Sequence, residues 1–127
     1  MRALIVEDDI IIQLYLENIL IRNGFQVIAC VDNGDEALSV FVDENPDLVF
    51  MDIGINGDKD GVETAEILKT KYNFRVIFVT GNTDHATLER AKYLRPIHII
   101  SKPIDEQAFE QELLKIKERM ENPEINF

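Results

Sequence analysis

Five short runs of branched and aromatic residues punctuate the chain, at 3–6, 26–31, 47–51, 75–79 and 97–100. They are close to continuously apolar, without polar alternation, which is the pattern of strands buried on both faces. Between them the spacing changes to that of amphipathic helices. After Asp9, the residues Ile12, Tyr15, Leu16, Ile19 and Leu20 share one helical face, and Asn23-Gly24 supplies the stop because glycine readily takes the left-handed terminating conformation. A second helix begins at Asn33 with Glu36 as its capping pair, buries Ala37, Leu38 and Phe41, and ends before Pro46. Asp60 and Glu63 repeat that device for a third, with Val62, Ala65 and Leu68 facing inward. A weaker fourth helix is predicted over about 83–93, opening near Asn82 or Thr83. The fifth takes Asp105 as cap, Ile104 and Phe109 as a hydrophobic staple, and continues through Leu113, Ile116 and Met120.

Strict alternation of strand and helix with short connections implies right-handed crossovers. The expected architecture is therefore α/β and doubly wound, a five-stranded parallel sheet covered on both faces. A chain of 127 residues fits one domain, enough to bury roughly two-thirds of its unfolded surface. No internal repeat or low-complexity segment interrupts it. Residues 121–127 read as a tail or the start of a linker, because Pro123 stops the last helix.

Charge narrows the partners. Twenty-four acidic against 13 basic side chains leave a formal charge of −11, whose field repels nucleic acid and anionic membrane. Cations or basic surfaces are the expected partners. No basic region followed by an apolar core opens the chain, and no apolar run approaches membrane-spanning length, so a soluble, cytoplasmic protein is expected. Cys30 is the only cysteine. An internal disulfide is impossible, and its apolar surroundings Val27-Ile28-Ala29-Cys30-Val31 point to a buried thiol.

The candidate chemistry lies where strands end. Glu7, Asp8 and Asp9 follow the first run directly, and Asp52 closes the third. In an open doubly wound sheet, ligands sit beyond the carboxyl ends of the strands where strand order reverses. That rule gathers these acids with Thr80-Gly81 after the fourth strand and Ser101-Lys102-Pro103 after the fifth. Like charges converging at one edge need protons or a divalent cation to compensate them. A hard cation such as Mg²⁺ suits one or two carboxylates plus water and a phosphate. Asp52 would then serve as nucleophile toward phosphorus, with the metal and Lys102 neutralising phosphoryl oxygens and Thr80 donating a hydrogen bond.

These residues resemble the receiver domain of two-component response regulators. The resemblance rests on Leu4-Ile5-Val6-Glu7-Asp8-Asp9, Asp47-Leu48-Val49-Phe50-Met51-Asp52, Asp60-Gly61, Val79-Thr80 and Lys102-Pro103, in family order and at family-like spacing. It covers about 2–117 and implies a flavodoxin-like (βα)5 fold with strand order 2-1-3-4-5. The implied organisation is a receiver, or phosphoacceptor, domain over 1–117 with a tail or linker start over 118–127. By resemblance, Asp52 accepts a phosphoryl group from a sensor histidine kinase or a histidine phosphotransfer protein. Asp8 binds Mg²⁺ directly and Glu7 mostly through water, while Asp52 and the Gly54 backbone carbonyl complete the metal site. Asp9 aligns with a variable position and is left out of it. Thr80 and Lys102 match the residues that contact the acyl phosphate, and the Lys102-Pro103 bond is usually cis in the family. The fourth helix, fifth strand and fifth helix form the surface where receivers dimerise or meet targets. Output is then expected from a downstream protein or a fused module, and an independent turnover enzyme is not expected.

Three departures stand out. The stretch from Ile53 to Asp60 is one residue longer than the usual loop and lacks its proline. Ile99 replaces the usual aromatic residue three before Lys102, so the common aromatic rotamer switch cannot operate in its usual form. Arg95-Pro96 stands where a small Gly-Ala pair is usual.

Blander readings exist for each residue alone. Asp8 and Asp9 would serve as a helix cap, Asp52 as a turn residue, and Lys102 as a solvated lysine. A turn residue, however, does not predict Thr80 and Lys102 at the edges of later strands. His85 and His98 lack a partner pattern and read as surface or structural. The run Arg90, Lys92, Arg95 reads as a solvated helix face, or as a basic partner surface in an otherwise acidic protein. Among rival functions, a haloacid dehalogenase-type phosphohydrolase would need an acid two residues after the nucleophile, where this chain has Gly54. A flavodoxin would cradle phosphate in its first loop, where Glu7-Asp8-Asp9 repel it. A receiver-like interaction module acting without phosphorylation remains the alternative, kept alive by Ile99.

Overall fold

The computed structural model describes residues 1–81 and 84–122. Among these, five strands alternate with five helices in the order β1 (Arg2–Val6), α1 (Ile10–Arg22), β2 (Gln26–Val31), α2 (Gly34–Asp43), β3 (Leu48–Asp52), α3 (Gly61–Lys69), β4 (Arg75–Thr80), α4 (His85–Tyr93), β5 (His98–Ser101) and α5 (Glu106–Glu121). All strand pairs are parallel and the sheet runs β2-β1-β3-β4-β5. Strand order reverses between β1 and β3, which sets their carboxyl ends side by side at the crevice.

Alternate side chains of each central strand feed two cores. Leu4, Val6, Val49, Met51, Val76 and Phe78 pack under α2, α3 and α4 through Ala37, Phe41, Val62, Ala65, Leu68 and Ala91. Ala3, Ile5, Leu48, Phe50 and Ile77 turn the other way and meet Leu16, Ile19 and Leu20 of α1 and Phe109, Leu113 and Ile116 of α5. The two-sided burial expected for continuous apolar runs holds for β1 and β3. It does not hold for β2, which strand order places at an edge and whose residues are partly or fully exposed. Cys30 follows its strand: it is half-buried, not buried, with Sγ 3.4 Å from Glu17 Oε2. Burial and that carboxylate push its thiol up to about 12, so it is a poor nucleophile.

The expected caps at Asn33, Asp60 and Asp105 accept backbone N–H groups from Glu36, Glu63 and Ala108, and Asp9 caps α1. The fourth helix is the exception. Asp84 is its cap, accepting from Thr87 N at 2.8 Å, whereas the expected openers Asn82 and Thr83 lie outside the described residues. Helix α5 runs on to Glu121, so residues 118–121 form its last turn. Pro123 lies outside the described residues. Arg95 takes the left-handed conformation at φ 53° just past α4, where glycine is at ease and a side chain is strained. The Lys102-Pro103 bond is cis. Among the described residues, no helix is long and apolar enough to cross a membrane.

Candidate phosphoacceptor site

Each chemical residue sits at the carboxyl end of a strand or one step beyond. Glu7 follows β1, Asp52 ends β3, Thr80 ends β4 and Lys102 follows β5. Register fixes their relative heights. Asp52 stands opposite Val79 and Thr80 opposite Ser101, and Lys102 N donates to Thr80 O at 2.7 Å. Glu7, Asp8 and Asp52 offer carboxylate oxygens that all lie within 4.8 Å of one another.

Lys102 holds that cluster together. Its Nζ lies 2.9 Å from Glu7 Oε1 and 3.4 Å from Asp52 Oδ2. Glu7 and Asp52 are 1% and 5% exposed, so this ion pair is shielded from water. Burial pulls the ammonium down, but the two carboxylates outweigh that and keep Lys102 above the ordinary lysine value. One ammonium does not satisfy three acids. Glu7 Oε2 accepts from Asp9 N at 3.2 Å, while the buried Oε1 meets the Lys102 ammonium. Three carboxylates within 4.8 Å of one another around a single ammonium keep an excess of negative charge that suits a hard cation or its water, and in this respect the residues fit Mg²⁺.

Burial, opposed by Lys102 and reinforced by Asp52, raises Glu7 from the ordinary 4.5 to about 7. The consequence has a definite sign. The folded state holds the Glu7 proton more tightly, so its contribution is full below about pH 4.5 and is lost as pH rises through about 7, by at most about 3 kcal/mol. Metal-free protein should therefore lose stability across that window, and saturating Mg²⁺ should remove most of the loss. Urea titrations at several pH values, with and without Mg²⁺, read both curves.

The longer β3–α3 loop has a defined path. Ile53 N donates to Val79 O and Gly61 N to Ile53 O, Ile53 and Ile55 are buried, and Asn56 forms a parallel bridge with Asn33. Lys59 reaches Asp35 at 2.9 Å. Gly54 N donates to Asp52 Oδ1 at 3.2 Å, and a Cβ built on Gly54 would meet nothing within 4 Å. Gly61 is the opposite case: its Cβ would lie 2.2 Å from Asp52 O.

Two contacts were not legible in the sequence. Gln13 Nε2 donates to Glu7 O at 3.2 Å and to Val31 O at 3.5 Å; its one signal is a lone amide in the run Ile10-Ile11-Ile12-Gln13-Leu14. Arg90 is not a free surface cation but reaches α3, at 3.3 Å from Asp60 Oδ2 and 2.9 Å from Glu66 Oε1. Lys92 and Arg95 remain exposed. His85 lies on the surface of α4, 3.9 Å from Glu89, and His98 is 3.7 Å from Glu112.

Comparison with known proteins agrees with this geometry. Residues 3–114 match the family model of the response regulator receiver domain. The probable C4-dicarboxylate response regulator DctR of Bacillus subtilis (strain 168) is 31% identical over 127 residues, covering 98% of this chain and 56% of that protein. Sporulation initiation phosphotransferase F of the same organism is 32% identical over 105 residues, covering 82% of this chain and 83% of that protein. The response regulatory domain of protein mrkE from Klebsiella pneumoniae superposes with a TM-score of 0.86 at 26% identity, covering 95% of this chain and 98% of that one. The chain spans about half the length of several curated relatives it matches. With its sheet order, its acidic crevice and a family match over almost its full length, the chain belongs to the response regulator receiver domain family, the phosphorylation-based signalling module of two-component systems.

Proposed function

We propose that this domain is a switch in which Asp52 accepts a phosphoryl group from a sensor histidine kinase or a histidine phosphotransfer protein. The observation that carries this reading is the buried ion pair of Lys102 with Glu7 and Asp52 at the sheet's carboxyl edge. An Asp52 carboxylate oxygen attacks phosphorus, the bond from phosphorus to the donor's imidazole nitrogen breaks, and an acyl phosphate forms. The imidazole is a good leaving group and needs no general acid, consistent with glycine at position 54. Glu7, Asp8, Asp52 and the Gly54 carbonyl would hold Mg²⁺, which supplies charge neutralisation for the phosphoryl oxygens. Lys102 adds a second positive charge and Thr80 a hydroxyl donor.

Readout passes to the surface of α4, β5 and α5. Phosphorylation draws Thr80 toward the new oxygens and shifts the population toward a partner-binding form. Tyr93 and Leu114, 87% and 60% exposed, offer apolar contacts there to a downstream target, a fused output module or a second copy. Signal decay follows from Gly54. The open space beside it admits water to the acyl phosphate, so Gly54→Met should slow phosphate loss severalfold; decay as fast as wild type would refute that role.

The test is incubation with acetyl phosphate and Mg²⁺ followed by intact-mass measurement. Wild type should gain one phosphoryl group and Asp52→Ala none. An unmodified wild type would favour an interaction module that works without phosphorylation, and an adduct on the alanine variant would place the acceptor elsewhere.

A further inference from the structure

We propose that Gln13 is a positioning residue for the acidic centre: its side-chain amide pins the Glu7-Asp8-Asp9 loop in the closed shape that a divalent cation needs. The inference rests on the function proposed above and deepens it. Three like charges on adjacent residues, with Asp52 a fourth nearby, push this loop apart, so something must hold it when no cation does. Lys102 offsets part of the charge at the Glu7 carboxylate, and three further contacts hold the loop itself. Asp9 accepts from Ile11 N and Ile12 N, fastening the loop's far end to α1. Asp9 N in turn donates to Glu7 Oε2. The near end is held by Gln13, whose Nε2 bridges the carbonyls of Glu7 and Val31, one each from the ends of β1 and β2.

Only one amide orientation works there. Two carbonyl oxygens require a donor, and the reversed amide would set oxygen against oxygen. Glu7 N also donates to Val31 O, so Gln13 extends the β1–β2 ladder by one bond beyond its last residue pair and carries the strand's direction into the acidic loop. Gln13 faces the same crevice as Glu7, Asp8, Asp32 and Glu36, yet brings no charge of its own. Its effect is on where the ligating oxygens stand.

Two variants of the full chain separate positioning from charge and from plain packing. Gln13→Met keeps the bulk and removes both donors, and Mg²⁺ binding by calorimetry should weaken about tenfold, as when the partner that orients a metal ligand is removed. Gln13→Glu adds a negative charge to an acidic crevice, which on Coulomb grounds alone should tighten Mg²⁺. Positioning predicts weaker binding there too, because the donor is gone. Thermal midpoints in EDTA should move less than midpoints in Mg²⁺ for both variants, with circular dichroism confirming the fold. Equal drops with and without Mg²⁺, or affinity at or above wild type in either variant, overturn the proposal. If wild type takes up Mg²⁺ and phosphoryl and the variants bind Mg²⁺ equally well, this inference alone fails. If wild type binds no Mg²⁺, the metal reading fails and this inference with it.

Discussion

Replacing Lys102 with methionine should slow phosphorylation of Asp52 by acetyl phosphate at least about a hundredfold, the scale seen when a preorganised charge-stabilising group is removed. The ammonium sits 3.4 Å from the attacking carboxylate and is the only cation the described structure brings into that buried cluster. Methionine fills a similar volume, so packing changes little and the lost charge is what the rate reports. Stability responds with a characteristic pH dependence. Without Lys102, Glu7 loses the interaction that holds it down to about 7 and moves higher still. Below about pH 5, Glu7 is protonated and only the contact with Asp52 is lost, so the deficit should be smaller there than near pH 8 in EDTA, where it should reach about 3 kcal/mol. A loss independent of pH would mean that Lys102 acts through Asp52 or packing and not through Glu7.

Gly61→Ala should be nearly as damaging, by a different route. Its methyl would sit 2.2 Å from Asp52 O, 2.9 Å from Asp52 C and 2.9 Å from Ile53 Cα. These are backbone atoms at the end of β3, so no side chain can swing aside to relieve the clash. Either α3 lifts off or the acceptor strand shifts. We expect a stability loss of about 3 kcal/mol, at the upper end for overpacking, read as a lower urea midpoint at unchanged slope. Phosphorylation should fall with it, because any shift moves Asp52 relative to Lys102. A loss below about 1 kcal/mol would show that the loop yields freely.

How much of this was visible in the sequence depends on what each feature needed. The carboxylates were legible because Glu7 and Asp52 each terminate a continuous apolar run, and the doubly wound rule brings those ends together without further information. Edge position was legible only through the family resemblance, which implies the order 2-1-3-4-5 that the sheet shows, and not in the apolar run itself. The run 26–31 is as apolar as the central strands, and only strand order, which hydropathy does not encode, leaves β2 and Cys30 partly exposed. For the opening of α4 the sequence offers Asn82, Thr83 and Asp84, all competent caps, and local propensity cannot choose among three in a row. The observed register puts Ala91 in the core, a tertiary constraint. Gln13 and Arg90 fall in the same class. Each acts through a contact with a distant element, Gln13 with the end of β2 and Arg90 with α3, so neither role shows in its neighbours along the chain. Gly61 belongs to the Asp60-Gly61 motif, and the structure supplies its reason in the close approach of α3 to the β3 backbone.

One particular carboxylate, that of Asp52, is the proposed acceptor of the phosphoryl group. Borohydride reduces an aspartyl phosphate to homoserine, and peptide mass spectrometry then reads the position. After treatment with acetyl phosphate and Mg²⁺, reduction should mark Asp52 and no other residue. A mark at Asp8 or Asp9, with Asp52 unchanged, would overturn the assignment of Asp52 as acceptor.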